Sequence, residues 1–233
     1  MKSKEKILVA MSGGVDSSVA AALLVHQGYD VTGAFMVNYN ETDGDCWQGD
    51  YQDAVRVAAK LNVPLLRLDF TKEYKEKVLD YMYAEYEKGR TPNPDVLCNK
   101  FVKFGVWLDK IKELGFDKIA TGHYAAISQK SIKSKVKSYK LIRAKDENKD
   151  QTYFLHQLNQ EQLSQTLFPL GRYTKPQVRK LAKKFALPTS NKEESMGICF
   201  VGEVPMKEFL EKKIKVKKGE IVLSDGKVIG EHE

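Results

Sequence analysis

Short apolar runs alternate with helical patterns through the first 125 residues, and this alternation limits the fold more than any other feature. Ile7–Ala10 reads as a buried strand. Ser17–Gln27 reads as a helix, with Val15, Val19 and Leu23 in step and Gly28 as its stop. Val31–Phe35 is expected to be the second strand, Asp53–Leu61 a helix and Pro64–Leu68 the third strand. A longer helix follows, with Tyr74, Val78 and Met82 on one face and Gly89 at its end. The prolines of Arg90–Asp95 argue against helix there. Leu97, Phe101, Phe104, Leu108 and Ile111 then step by fours and threes, as an amphipathic helix requires. Lys118–Thr121 is expected to be another buried strand. Repeated strand–helix–strand units imply an α/β fold, a doubly wound parallel sheet with helices on both faces. Ligands of such sheets bind beyond the carboxyl ends of the strands. The loops to watch are therefore Met11–Ser18, Phe35–Asn40 and Thr121–Tyr124.

The remainder changes character. Tyr124–Ser128 and Tyr139–Arg143 read as strands flanking a segment with seven Lys or Arg and no acid between Gly122 and Lys145. Alone, such a run is more often a solvated hairpin than a contact surface. The net charge of +7 nonetheless suits a polyanionic partner. Thr174-Lys-Pro176 opens a helix through Phe185, with Thr174 as cap and proline in the first turn. Residues 1–202 are expected to form the main domain, and 203–233 the truncated start of a small central one. The hairpin at Glu220–Leu223 and Val228–Ile229, turning at Ser224-Asp-Gly226, would be marginal without a partner. No run of about 18 apolar residues could span a membrane. The first apolar stretch is too short for a signal-peptide core, so a cytoplasmic location is expected.

Ser12-Gly-Gly-Val-Asp-Ser-Ser18 sits where the first strand gives way to the first helix. Glycines let backbone approach a phosphate, while serine hydroxyls and free helix N–H groups bind it. The kinase-type Gly-Lys-Ser/Thr is missing. The string resembles the PP-loop of ATP pyrophosphatases, which grip the pyrophosphate leaving group and so make adenylated intermediates. The three cysteines, Cys46, Cys98 and Cys199, are an odd number with no Cys-x-x-Cys pair, which argues against a disulfide framework and a zinc ribbon. No metal-ligating residue set is assigned. Cys98 falls in the first turn of the Leu97–Ile111 helix, where the helix dipole favours thiolate. Asp95 lies three residues earlier, and its charge opposes the thiolate. It is a candidate cap or base. Asn93 is a rival cap, with Pro94 at the first helical position. Cys199, in Gly197-Ile-Cys-Phe200, follows the charged, loop-like Asn191–Ser195 and taken by itself reads as an inert thiol in a short strand.

Together, SGGVDSS, TPNPDVLCNK, ATGHY at Ala120–Tyr124, KDQTYFL at Lys149–Leu155 and GICF closely resemble the bacterial and mitochondrial tRNA-specific 2-thiouridylases, over nearly the whole chain. The resemblance implies an adenine nucleotide alpha hydrolase-like fold and a sulfurtransferase. Its substrates would be ATP, expected with Mg2+, and tRNA with a wobble uridine. The C2 oxygen of that uridine would be adenylated, and sulfur delivered from a cysteine persulfide, releasing AMP and pyrophosphate. It implies ATP contacts at Ala10, Met11, Ser12, Gly13, Gly14, Val15, Asp16, Ser17, Met36 and Gly122. It implies tRNA contacts at Asn93, Pro94, Asp95, Lys149, Asp150 and Gln151, with His123 near the base. Cys199 would carry the persulfide and Cys98 would be its partner thiol, with Asp95 beside it and a Cys98–Cys199 disulfide formed as sulfur leaves. A sulfur carrier or cysteine desulfurase would load the persulfide. An iron–sulfur cluster on Asp95, Cys98 and Cys199 is the less favoured variant. The family's C-terminal β-barrel is expected to be missing here. Cys46 matches no role in the pattern. The rivals are another PP-loop ligase adenylating a small molecule, which leaves both cysteines idle, and a non-catalytic ATP- or RNA-binding fragment.

Overall fold

Ile7, Leu8 and Val9 of β1 (Lys6–Ala10) are fully buried, as they must be in a strand covered on both faces. The computed structural model describes residues 4–39, 47–132, 136–194 and 206–232. β1 lies between β2 (Asp30–Val37) and β4 (Lys118–Ala120), with β3 (Leu65–Asp69) outside β2 and β7 (Thr166–Leu167) outside β4. All four pairings are parallel. Strand order 3-2-1-4-7 reverses direction between β1 and β4, which puts the topological switch point at the loops that follow those two strands.

Alternation along the strands divides the core. Ile7, Val9, Phe35 and Val37 pack with α1 (Val15–His26), α2 (Gln48–Leu61) and α8 (Lys175–Lys184). Leu8, Ala34, Met36 and Ile119 face the helices of residues 71–87 and 94–113. Helices therefore cover both faces, as the alternating pattern required. Tyr74, Val78 and Met82 are all fully buried on the second face, and Gly89 ends that helical stretch at φ 72°.

Two expectations about the next helix are corrected. Helix begins at Pro94 (α5, Pro94–Leu97), so Asp95 is helical rather than part of the proline-rich loop. Asn93 Oδ1 accepts from the N–H groups of Asp95 at 3.1 Å and Val96 at 3.2 Å, which makes Asn93 the cap. The stretch Cys98–Val106 is then wound as a π-helix and kinked at Gly105, whose backbone is non-helical (φ −108°, ψ −108°), with Trp107 N–H donating to the Val102 carbonyl five residues back. The wider turn rotates the buried stripe. Val102 and Trp107 are fully buried, whereas Phe101, expected on the inner face, is 38% exposed. Phe104, Leu108 and Ile111 stay inside, because α6 (Trp107–Glu113) resumes ordinary helix.

β5 (Ala125–Ile132) and β6 (Val136–Arg143) form the basic hairpin in a register running from Ala125↔Arg143 to Ile132↔Val136. Cross-strand partners share a face, so Lys130 and Lys140 lie on one face and Lys137 and Arg143 on the other. Lys133 and Lys135 lie outside the described residues. α9 (Met206–Glu211) sends Phe209 into the second core, stacked on Tyr83 at 5.7 Å and edge-on to Tyr39 at 5.8 Å. β8 (Gly219–Val222) and β9 (Val228–His232) form the expected hairpin, with Ile221, Val222, Val228 and Ile229 exposed. Among the described residues no helix is long and apolar enough to cross a membrane.

Candidate nucleotide and thiol site

The Ser12–Ser18 turn lies at the switch point and is shaped by its own side chains. Ser12 N–H donates to Ser17 Oγ at 3.2 Å, and Ser17 Oγ donates to the Gly14 carbonyl at 3.1 Å. Ser18 Oγ donates to the same carbonyl at 2.7 Å. Gly14, at the cap position of α1, offers no side-chain cap, so the first helical N–H groups remain available to an anion. Two glycines are required by space. Gly13 has φ 75°, and a Cβ there would overlap the Asp50 carbonyl oxygen. A Cβ on Gly122, in the loop after β4, would lie 2.7 Å from Ser17 N. Ala10, Met11 and Met36 complete the group: Ala10 pairs with Ala34, Met11 N–H donates to Ala34 O at 2.9 Å, and Met36 lies two residues further along β2. These residues thus lie at or just beyond the carboxyl-end halves of β1, β2 and β4.

Sequence reasoning missed the charged groups around that loop. Lys175 Nζ donates to both Asp16 carboxylate oxygens at 2.8 Å, and Tyr124 Oη donates to Asp16 Oδ1 at 3.0 Å. Burial first, then the Asp16 charge, raises the Tyr124 pKa, so the phenol stays protonated and donates. Lys192 Nζ reaches Asp50 and Asp53 of α2 at 2.6 Å each. Arg179 holds the carbonyls of Ser190 and Lys192. Glu194 pairs with Lys175 at 3.4 Å and with Lys149. Residues 190–194 are thereby tied to both α2 and α8. Only the Thr174-Lys-Pro signal hinted at this, by placing Lys175 at the start of a helix. Lys175 and Asp16 are 159 residues apart, which no local pattern spans.

The second face carries the thiol. Cys98 is fully buried and packs in one core with Met36, Tyr39, Phe70 and Phe104. Access to its sulfur therefore requires neighbouring groups to move. His123 Nδ1 lies 2.8 Å from Thr121 Oγ1, and its ring lies 6.1 Å from both Phe104 and Phe168. Enclosure first, then the Lys103 charge, holds its pKa well below the ordinary histidine value, so the ring is neutral near pH 7. Asp150 accepts from Arg143 Nε at 3.1 Å, Ala144 N at 3.0 Å and Thr152 Oγ1 at 2.8 Å. Gln151 Oε1 accepts from Tyr124 N–H at 3.0 Å. Both brace the loop beside the nucleotide turn. Cys199, with its expected pairing to Cys98, lies outside the described residues, as does Cys46.

Asn38, just past β2, was also missed. It is 2% exposed, and among the described residues neither its amide nitrogen nor its amide oxygen has a partner. Asn99 Oδ1 is likewise buried without one. Such groups are uncommon in folded interiors. At the carboxyl edge of the sheet an orphaned amide fits a ligand bearing both hydrogen-bond donors and acceptors, such as a nucleobase. The glycine cradle fits a polyphosphate, and the Asp16 carboxylate fits a hard cation such as Mg2+.

The sequence matches the family described as tRNA methyl transferase HUP domain over residues 5–203. It is 50% identical over 233 residues to a protein of Nitrosomonas eutropha named tRNA-specific 2-thiouridylase MnmA, covering 99% of this chain and 63% of the relative. A protein of the same name from Streptococcus thermophilus is 49% identical, covering 99% and 61%. The chain thus spans a little over three fifths of the length of these curated relatives. Among solved structures, the NMN synthetase of Francisella tularensis superimposes with a TM-score of 0.52 at 16% identity, covering 92% of this chain and 80% of that one. That likeness concerns the fold.

Proposed function

This chain belongs to the tRNA methyl transferase HUP-domain family, and from that premise we propose that it serves ATP-dependent transfer of sulfur to a uridine of tRNA, giving 2-thiouridine at the wobble position. The observation that carries this reading is the Ser12–Ser18 turn at the switch point, with Gly122 of the neighbouring loop packed against it. A carbonyl oxygen is a poor leaving group, so its replacement by sulfur needs prior activation. In this reading the uridine C2 oxygen attacks the α-phosphorus of ATP. The bond to the β-phosphate oxygen breaks, and pyrophosphate leaves into the N–H groups and serines of the turn. Mg2+, when bound through Asp16, would neutralise charge on the departing phosphates.

Sulfur then arrives as a nucleophile. The outer sulfur of a persulfide on Cys199 attacks C2, and AMP leaves with the electrons of the C2–O bond. The Cys98 thiolate attacks the inner sulfur of Cys199, so the S–S bond of the persulfide breaks and the outer sulfur stays on the base. Asp95, one helical turn before Cys98, takes the thiol proton. The product disulfide must be reopened by a thiol reductant, and a sulfur carrier or cysteine desulfurase reloads Cys199. Forming that disulfide requires the two Cα atoms within about 7 Å. Asn93, Pro94, Lys149, Asp150 and Gln151 are assigned to tRNA, and neutral His123 to the target base. Ala10–Ser17, Met36 and Gly122 are assigned to ATP.

Mass spectrometry of tRNA nucleosides after incubation with ATP and a persulfide donor tests the reading. Thiouridine should form with the native protein and vanish in Cys98→Ser and Cys199→Ser, while both variants still bind ATP. Pyrophosphate release driven by a small acid or amide, with no thionucleoside, would transfer the chain to the small-molecule ligases.

A further inference from the structure

Four charges of alternating sign run in a row from the nucleotide turn: Asp16, Lys175, Glu194 and Lys149. Lys175 is the first residue of α8. Its ammonium lies 2.8 Å from both oxygens of Asp16 and 3.4 Å from Glu194 Oε1, with its side chain 11% exposed. The other oxygen of Glu194 accepts from Lys149. The Lys149 hydrogen bond, ahead of the Lys175 and Lys149 charges, holds the Glu194 carboxyl below its ordinary pKa. One end of the row is therefore the loop that would hold a triphosphate, and the other is a lysine at the edge of the site.

In such a row each carboxylate and ammonium divides its attraction between two neighbours. A nucleic-acid phosphate that engages Lys149 takes one cation from Glu194. Glu194 then draws more strongly on Lys175, and the grip of Lys175 on Asp16 weakens. Asp16 is released toward the metal-bound triphosphate, and the ammonium is left beside the phosphates. We infer that Lys175 and Glu194 are positioning residues that couple polyanion binding at Lys149 to nucleotide binding at the Ser12–Ser18 turn. This rests on the proposed tRNA reading for Lys149, whereas the row itself stands on the geometry. Linkage makes the effect reciprocal: ATP must strengthen RNA binding by the same factor that RNA strengthens ATP binding.

The experiment titrates the intact protein with a non-hydrolysable ATP analogue and Mg2+, with and without saturating tRNA, at one low salt concentration. tRNA binding is measured separately. The native protein should bind the analogue about fivefold more tightly with tRNA present, at the lower end of measured couplings. Glu194→Gln should erase that difference and weaken analogue binding without RNA, because Lys175 then belongs wholly to Asp16. Lys149→Gln should also erase the difference but with the opposite sign on basal affinity, about two- to threefold tighter without RNA. Simple damage to the fold would weaken both variants. Lys175→Gln cuts the row at its centre and should also erase the difference made by tRNA, with Lys175→Arg restoring part of it. RNA that binds without changing analogue affinity overturns the coupling alone, as does a Glu194→Gln variant that retains it. RNA that fails to bind at all overturns the tRNA reading and the coupling with it.

Discussion

Apolar cores pack on both faces of the sheet, but the Ser12–Ser18 turn and the surroundings of Cys98 are held by different physics. Around the nucleotide turn, charged side chains from distant segments close on one another: Lys175 on Asp16, Lys192 on Asp50 and Asp53, and Lys149 on Glu194. Cys98 shares its core with Tyr74, Met82, Phe104 and Trp107, all packed without exposure, and the buried side-chain amides of Asn38 and Asn99 have polar atoms without a partner among the described residues. The turn has its charges balanced by partly exposed pairs, which ligands can exchange at modest cost. The Cys98 core is close-packed, so anything that enters must displace side chains or occupy a place already shaped for it. The proposed reaction, which would start on a polyphosphate and use a thiol, would draw on both kinds of ground.

The largest predicted effect breaks the comparison in the Cys98 core. Trp107 is fully buried where the π-helical segment returns to α6, so Trp107→Ala should lower unfolding free energy by about 3–5 kcal/mol. Urea denaturation would measure it. A loss under 1 kcal/mol would mean that this core is as loosely held as the charged turn. At the nucleotide turn, Gly122→Ala places a Cβ 2.7 Å from Ser17 N and must push the turn out of shape. A displacement of that order costs roughly a hundredfold when geometry matters. ATP affinity or pyrophosphate release should fall by about that factor while the melting temperature changes little.

Asn38→Leu sharpens the difference between a region built to pack and a region built to receive. If the buried amide awaits a ligand, replacing it with an apolar residue of similar size should leave the ligand-free protein as stable, or about 1 kcal/mol more so, because an unmet desolvation cost disappears. Affinity for nucleotide or for the target base should fall about tenfold, the value of one to two lost hydrogen bonds. Thermal melts and nucleotide titrations read the two quantities apart. Destabilisation without loss of binding would make Asn38 a structural residue.

What the sequence disclosed follows the range of the signal. Strand–helix alternation and the Ser12–Ser18 string are local, and both were legible, down to Gly28 and Gly89 as helix stops. The π-helical register was not, because a wide turn leaves no periodic mark: Phe101 fits the ordinary helical stripe and still faces out. Asn93 and Asp95 were equal candidates for the cap, since both are common caps, and only the hydrogen bonds to Asn93 Oδ1 separate them. Lys175, Lys192 and Glu194 read as ordinary surface charges. Their meaning depends on partners more than forty residues away, as Glu194 with Lys149 illustrates.

The smallest expected effect concerns the basic hairpin, which reaches the second core through Ala125 and Leu141. Its basic residues and the net charge suit a polyanion, but the register distributes the described ones: Lys130 and Lys140 on one side, Lys137 and Arg143 on the other, with Arg143 already paired to Asp150. A rigid duplex meets one side of a ribbon at a time, so only part of the charge can act together. Each phosphate neutralised contributes about 0.7–0.9 to the slope of log affinity against log salt. Replacing Lys133, Lys135 and Lys137 with Ser should therefore flatten the slope for tRNA by about 1–2, less than the roughly 2.1–2.7 of three simultaneous contacts. Filter binding at three or more salt concentrations gives that slope directly. A decrease of about 2.1–2.7 would mean that the hairpin acts as one surface, and an unchanged slope would leave it a solvated ribbon. In either case the Asp16–Glu194 row should keep its coupling, because none of the substituted lysines belongs to it.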